Sequence, residues 1–298
     1  FPPFPSDPSF FFRSFRHIPL QSVPSLLTKP ERDAIVTHLD GLFSRNAARK
    51  ISAPSNLVCL EDPRCLSNTA TTSSWPRPVP NTFYFLSIGD DSAPRIPKVL
   101  DAFSFKRGYI VAMEKIAAPT LSACNISEEE AVEYAAFAMK WLIDQLPSVP
   151  DTSFGSILSK ETPVLHCFFK EQEAPYVFSN PDELAEYVLK ASKRCRIPPP
   201  SSVMEELLAS FKQGRYIYHS DIRKENFLLD SDKVWIIDFQ HIGVFPEVFQ
   251  TFSFFNIDMA FAASVGRKLG YQPSSTANAM VRISNVLQQC GGAARLGK

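Results

Sequence analysis

Apolar residues recur at helical spacing in five stretches of this chain and as short unbroken runs in several others. Val132, Ala135, Ala136, Met139, Leu142, Ile143 and Leu146 line one face of a predicted helix. Ser127 and Glu130 open it as a capping box, with Glu128 and Glu129 completing an acidic first turn. Thr28, Pro30 and Glu31 mark another helix start, whose apolar face is Ile35, Leu39, Leu42 and Phe43. Asn180 and Pro181 begin a helix that runs to Lys193. Two more are predicted over Ser202 to Lys212 and Ser275 to Gln289, the last stopped by Gly291 and Gly292. Tyr216 to Tyr218, Phe227 to Leu229 and Val234 to Ile237 read as buried strands, and Asp230 to Asp232 joins the last two as a hairpin. A second hairpin is predicted from Val164 to Phe169 and Pro175 to Phe178 across the charged turn Lys170 to Glu173, and Asn56 to Leu60 is a further strand. Between 62 and 81 periodicity stops in a Ser-, Thr- and Pro-rich segment that reads as an irregular loop or disordered insert.

The strands around 216–239 carry polar residues at a telling spacing. His219 and Asp221 follow the first strand, Asn226 lies five residues beyond Asp221, and Asp238 twelve beyond Asn226. Phosphoryl transfer asks a protein for an acceptor of the attacking hydroxyl's proton and for oxygen ligands to magnesium. An Asp, an Asn and a second Asp on adjacent strand ends supply those parts.

H-x-D-x-x-x-x-N followed by I-D-F resembles the catalytic core of the protein kinase-like fold, and most closely the aminoglycoside phosphotransferase-like small-molecule kinases. Ser220 stands where protein kinases usually carry Arg, Asp238-Phe239-Gln240 lacks the glycine of Asp-Phe-Gly, and no activation segment follows. His241 to Phe249 is similar to the segment after the magnesium aspartate in these phosphotransferases. Asn256, Asp258 and Ala260 resemble their next helix start. Upstream, Arg95 to Phe103 looks like a small-lobe strand entry, and Tyr109 to Ile116 like the strand and hinge where adenine docks. The resemblance implies an α+β, two-lobed kinase-like fold with a divergent or incomplete small-lobe sheet and a mainly helical large lobe holding a catalytic β-hairpin. It implies Asp221 as catalytic base, His219 bracing the loop, Asn226 and Asp238 as Mg2+ ligands, and Met113, Glu114, Lys115 and Ile116 as the ATP-binding hinge. The expected organisation is an aromatic, Pro-rich arm at 1–27, a small lobe at 28–116 and a large catalytic lobe at 117–298.

The small lobe departs from that pattern. Before residue 90 the only glycines are Gly41 and Gly89, so no glycine-rich loop can be written, and no glutamate lies between Asp62 and Met113. The strand at Asn56 offers no lysine. Lys50 and Glu61 are the nearest candidates for the phosphate lysine and its partner.

Bulk properties narrow the partners. Net charge is zero and pI near 7.1, which gives no polybasic footprint for nucleic acid or an anionic membrane. No apolar run approaches the roughly 18 residues of a membrane span. Six cysteines without a zinc spacing fit reduced, cytoplasmic thiols. The opening run from Phe1 lacks the charged start and apolar core of a signal peptide, and a chain beginning at Phe is expected to continue upstream. Two functions follow. One is an ATP-dependent phosphotransferase acting on a hydroxyl of a small molecule; the other is a pseudokinase serving as a binding or regulatory module. The acceptor and the oligomeric state are not written in the sequence.

Overall fold

The computed structural model describes residues 27–37, 57–58, 66–67, 85–89, 91–105, 108–149, 154–157, 163–256 and 260–290. The chain divides into two compact units, residues 1–74 with 98–115 and residues 75–97 with 116–298. Both mix helices with small antiparallel sheets, the α+β class expected from the sequence.

In the smaller unit, helix α1 is described over residues 29–37. Glu31 caps its start, accepting from the Thr28 backbone N–H at 2.7 Å and from its hydroxyl at 2.8 Å. Strands β1 (Leu57–Val58), β2 (Leu66–Ser67), β3 (Val99–Phe105) and β4 (Gly108–Met113) form one sheet in the order β1-β2-β4-β3. Within 62–81, expected to be irregular, only Leu66–Ser67 are described, and they form strand β2. Leu66 pairs with Ala112 and Ser67 with Val111, so the edge of β4 imposes a strand that local propensity does not announce. Asp101 is buried within β3 and takes two hydrogen bonds from Arg32 of α1, at 2.5 and 2.8 Å. This fork-to-carboxylate pair fastens helix to sheet. Lys50, Glu61, the 1–26 arm and the Gly291–Gly292 stop lie outside the described residues, as does Asp258.

The larger unit holds helices α2 (Glu128–Asp144), α3 (Pro181–Ser192), α4 (Ser201–Ser210), α5 (Glu247–Phe255), α6 (Ala260–Lys268) and α7 (Ser275–Cys290). Its strands are β5 (Tyr216–His219), β6 (Phe227–Asp230), β7 (Lys233–Ile236) and β8 (Ile242–Phe245). The capping box of α2 forms as read, with Glu130 N–H on Ser127 Oγ at 3.1 Å and Ser127 N–H on the Glu130 carboxylate at 2.9 Å. Asn180 caps α3 in the same manner, accepting from Glu183 N–H at 3.0 Å.

Hairpin β6–β7 turns at Ser231 and is backed on both edges. Leu121 N–H reaches Phe227 O on one side, and Arg95 exchanges two 2.9 Å bonds with Val234 and Ile236 on the other. Strands β5 and β8 pair antiparallel and are buried on both faces. Ile217 and Val244 face a core built with α2 and the hairpin, whereas Tyr218 and Phe245 face an aromatic core with Phe168, Phe169, Phe249 and Phe252. Gly243 permits this packing, because a Cβ there would sit 2.5 Å from the Tyr218 hydroxyl and 2.7 Å from Gly155 O.

The second predicted hairpin is corrected to a single bridge between Leu165 and Glu173. Glu171 and Gln172 adopt positive φ in a tight 3-10 turn, and the consecutive Phe168 and Phe169 are both fully buried, which breaks the alternation a strand needs. No helix among the described residues is long and apolar enough to cross a membrane.

His166 sits at the centre of the aromatic core, fully buried. Its Nε2–H donates to Phe249 O at 3.2 Å and its Nδ1 accepts from Phe168 N–H at 3.0 Å. Burial pushes its pKa down to about 3. The unfolded chain, titrating near 6.5, therefore binds a proton that the folded chain refuses. Stability contributed by the neutral ring is complete above about pH 6.5 and is lost as pH falls towards the folded value, at about 1.4 kcal/mol per pH unit. Urea unfolding between pH 7.5 and 5 should show this decline, with a slope smaller by one proton in His166→Asn.

Candidate active site

The register of β5 against β8 delivers four polar residues to one end of the pair. His219 is the last residue of β5, and Ser220 N–H continues the ladder onto His241 O at 2.9 Å. The chain then loops through Asp221 and a 3-10 turn at Lys224–Asn226 before entering β6. Strand β7 returns it through Asp238 to the turn Phe239–His241. Asp238 has φ 65° and ψ 64°, a left-handed conformation that a non-glycine residue adopts at a cost of order 1–3 kcal/mol.

His219 is fully buried and holds the loop from inside. Its backbone N–H donates to Gln250 Oε1 of α5 at 2.7 Å, and its Nδ1 accepts from Asp221 N–H at 3.2 Å. Burial drives the ring pKa down to about 4, although the neighbouring Asp221 carboxylate works in the opposite direction. The imidazole is therefore neutral at physiological pH and its Nε2 carries the proton.

Asn226 Nδ2 donates to both Asp221 O at 2.7 Å and Asp221 Oδ2 at 3.0 Å. Its backbone O accepts from Ile237 N–H at 3.0 Å, which sets Asn226 beside the residue preceding Asp238. With its amide NH2 committed to Asp221, its Oδ1 accepts nothing among the described residues. Asp221 itself is mostly buried, and its Oδ1 meets Arg223 Nε at 2.7 Å. The neighbouring Lys224 pairs with Glu128 of α2.

Asp238 is the charged group least provided for. Gln240 Nε2 reaches its Oδ2 at 3.3 Å, while its Oδ1 is buried with no partner. Burial raises its pKa; His241 acts against that, Asp221 adds to it, and the hydrogen bonds from Gln240 also pull it down. One ligand atom each of Asp221, Asp238 and His241 lies within 4.8 Å of the others. An orphaned carboxylate oxygen beside a second carboxylate is a place that a cation would stabilise. The buried Asp238 Oδ1 therefore fits a divalent cation, and the amide oxygen of Asn226 is left open as a candidate second ligand.

Asp221, Asn226, Asp238 and His219 thus come together in the larger unit. The other predicted residues lie at the division of the chain. Met113 ends β4 opposite Val99, Lys115 is the last residue of the smaller unit, and Ile116 opens the second stretch of the larger one. Glu114 N–H donates to Lys98 O at 2.9 Å, and its side chain accepts from Lys98 N–H at 2.8 Å. Sequence reasoning missed His241, Gln240 and Gln250. The available signal was polar residues interrupting apolar sequence, in the turn before β8 and within α5. Cys167 also senses Asp221, yet burial pushes its thiol up to about 12, so it carries no thiolate nucleophile.

No family model matches the chain, and no curated protein matches it. Among solved structures it is similar to a thermostable mutant of aminoglycoside phosphotransferase APH(4)-Ia in its apo form. That match has 13% identity, 85% of this chain and 100% of the other covered, and a TM-score of 0.40. It is similar also to spectinomycin phosphotransferase APH(9)-Ia in complex with ADP and spectinomycin, at 12% identity, coverage of 79% and 78%, and TM-score 0.38. A GDP complex of an aminoglycoside 2'-phosphotransferase-IIIa mutant matches at 11% identity, coverage of 85% and 86%, and TM-score 0.43.

Gln250→Leu should leave the fully buried His219 N–H without its acceptor. The expected loss is roughly 1–3 kcal/mol of stability, read from the midpoint of denaturant unfolding.

Proposed function

We propose that this chain is an ATP-dependent phosphotransferase that moves the γ-phosphate onto a hydroxyl of a small molecule. The observation that carries the reading is the convergence of Asp221, Asn226 and Asp238 on one loop cluster, with Asp238 Oδ1 buried and unmatched. Asp221 accepts the proton of the attacking hydroxyl, its carboxylate aimed by Asn226 and its backbone fixed by His219. Asn226 Oδ1 and Asp238 hold Mg2+, which when bound neutralises charge on the transferring phosphoryl group. Arg223 pairs with the Asp221 carboxylate at 2.7 Å and gives way to the acceptor hydroxyl. Met113 to Ile116 form the adenine-docking hinge, residues 28–116 the small lobe and 117–298 the catalytic lobe. The protein works in the cytoplasm, where its cysteines stay reduced.

A second reading, a pseudokinase acting as a binding or regulatory module, rests on the missing glycine-rich loop and small-lobe glutamate. Transfer of labelled γ-phosphate across a panel of hydroxylated metabolites and aminoglycosides separates the two. The enzyme reading expects a phosphorylated product. It also expects Asp221→Asn to lower turnover by roughly 10²–10⁴-fold with Mg-ATP affinity nearly unchanged. Equal turnover in the variant contradicts Asp221 as base, and a silent wild-type chain favours the module.

A further inference from the structure

The metal role proposed above draws on oxygen donors, and a nitrogen stands beside the Asp238 carboxylate. His241 is 5% exposed, and one of its ring nitrogens falls within 4.8 Å of carboxylate oxygens of both Asp221 and Asp238. Its main chain is pinned by Ser220 N–H on His241 O at 2.9 Å. Its Nδ1 stands 3.5 Å from the Ser220 hydroxyl. Metal-bound imidazoles are commonly oriented by such a partner at one ring nitrogen.

Two buried acceptor oxygens, one on Asp238 and one on Gln240, have no hydrogen-bond partner. Gln240 is 7% exposed and rests its amide nitrogen on Asp238 Oδ2, while its own Oε1 is buried and unpartnered, as is Asp238 Oδ1. Buried acceptor oxygens are normally matched by proton donors. An unmatched carboxylate oxygen on Asp238, with the Asp221 carboxylate and an imidazole nitrogen alongside, makes a cradle for a cation.

We infer that His241 is a ligand of the metal held by Asp238, and that this mixed nitrogen–oxygen site selects manganese or a similar first-row divalent cation over magnesium. The inference rests on the metal role proposed above and goes on to name the metal's chemical class. Magnesium takes hard oxygen donors and gives up its waters reluctantly, so an imidazole adds little to its binding. First-row transition cations accept imidazole readily and rise in affinity along the Irving–Williams order.

The test uses the full chain without nucleotide, titrated with MnCl2 and followed by electron paramagnetic resonance, with MgCl2 as competitor. Manganese should bind about tenfold or more tightly than magnesium, and pulsed measurements on the bound ion should show coupling to a nitrogen nucleus. His241→Gln, checked by circular dichroism for its fold, should erase that coupling and weaken manganese by at least about tenfold while magnesium binding stays near its wild-type level. If the variant does not fold, the nitrogen coupling in the wild-type chain decides alone. Bound manganese without nitrogen coupling, or no manganese binding, overturns the inference. Phosphoryl transfer supported by magnesium alongside either result leaves the proposed function standing. Nitrogen-coupled manganese in a chain that transfers no phosphate instead supports the metal site and removes the enzyme.

Discussion

Two-sided burial of the β5–β8 pair is the constraint from which the rest of the larger unit follows. A two-stranded ribbon has no stability of its own in water. Here it is sandwiched, with Ile217 and Val244 committed to one core and Tyr218 and Phe245 to another. Alternation along a strand then leaves no freedom of register, since a slip by one residue would exchange the two faces. Gly243 enforces the same register from within, because only a residue without a side chain fits beneath Tyr218. The ends of the ribbon are thereby fixed, and so is the place where His219, Ser220 and His241 meet.

A rigid ribbon allows the site to keep an arrangement that is unfavourable in isolation. Two carboxylates lie close together, one of them largely desolvated and in a left-handed backbone conformation. The hairpin β6–β7, clamped along both edges by 119–121 and Arg95, opposes relaxation of Asp238. On the other side α5 contributes Gln250, and α2 tethers Lys224 through Glu128. The packing cores stabilise the scaffold, and the scaffold holds charge where a cation would relieve it.

Much of this was legible in local sequence. Ser127 with Glu130, Asn180 before Pro181, and the Asp230–Asp232 turn are short-range devices whose partners lie within a few residues, and each appears where it was read. The H-x-D-x-x-x-x-N spacing likewise joins neighbours across one loop. What escaped depends on distant partners. Arg32 and Asp101 are 69 residues apart, and β2 exists only because β4 offers it an edge. The expected hairpin at 164–178 gave way to a tight turn because Phe168 and Phe169 are both drawn into the aromatic core. Gln240 read as a departure from a family pattern and His241 as part of a matching run, and only the fold brings them against Asp238.

The central claim is that Asp238 anchors a metal-dependent nucleotide site. The most direct test is calorimetric titration of the folded chain with ATP, first in magnesium and then in EDTA, beside Asp238→Ala. The account predicts binding that requires the metal and disappears in the variant. Absence of binding up to millimolar ATP, or binding indifferent to both metal and Asp238, would contradict it.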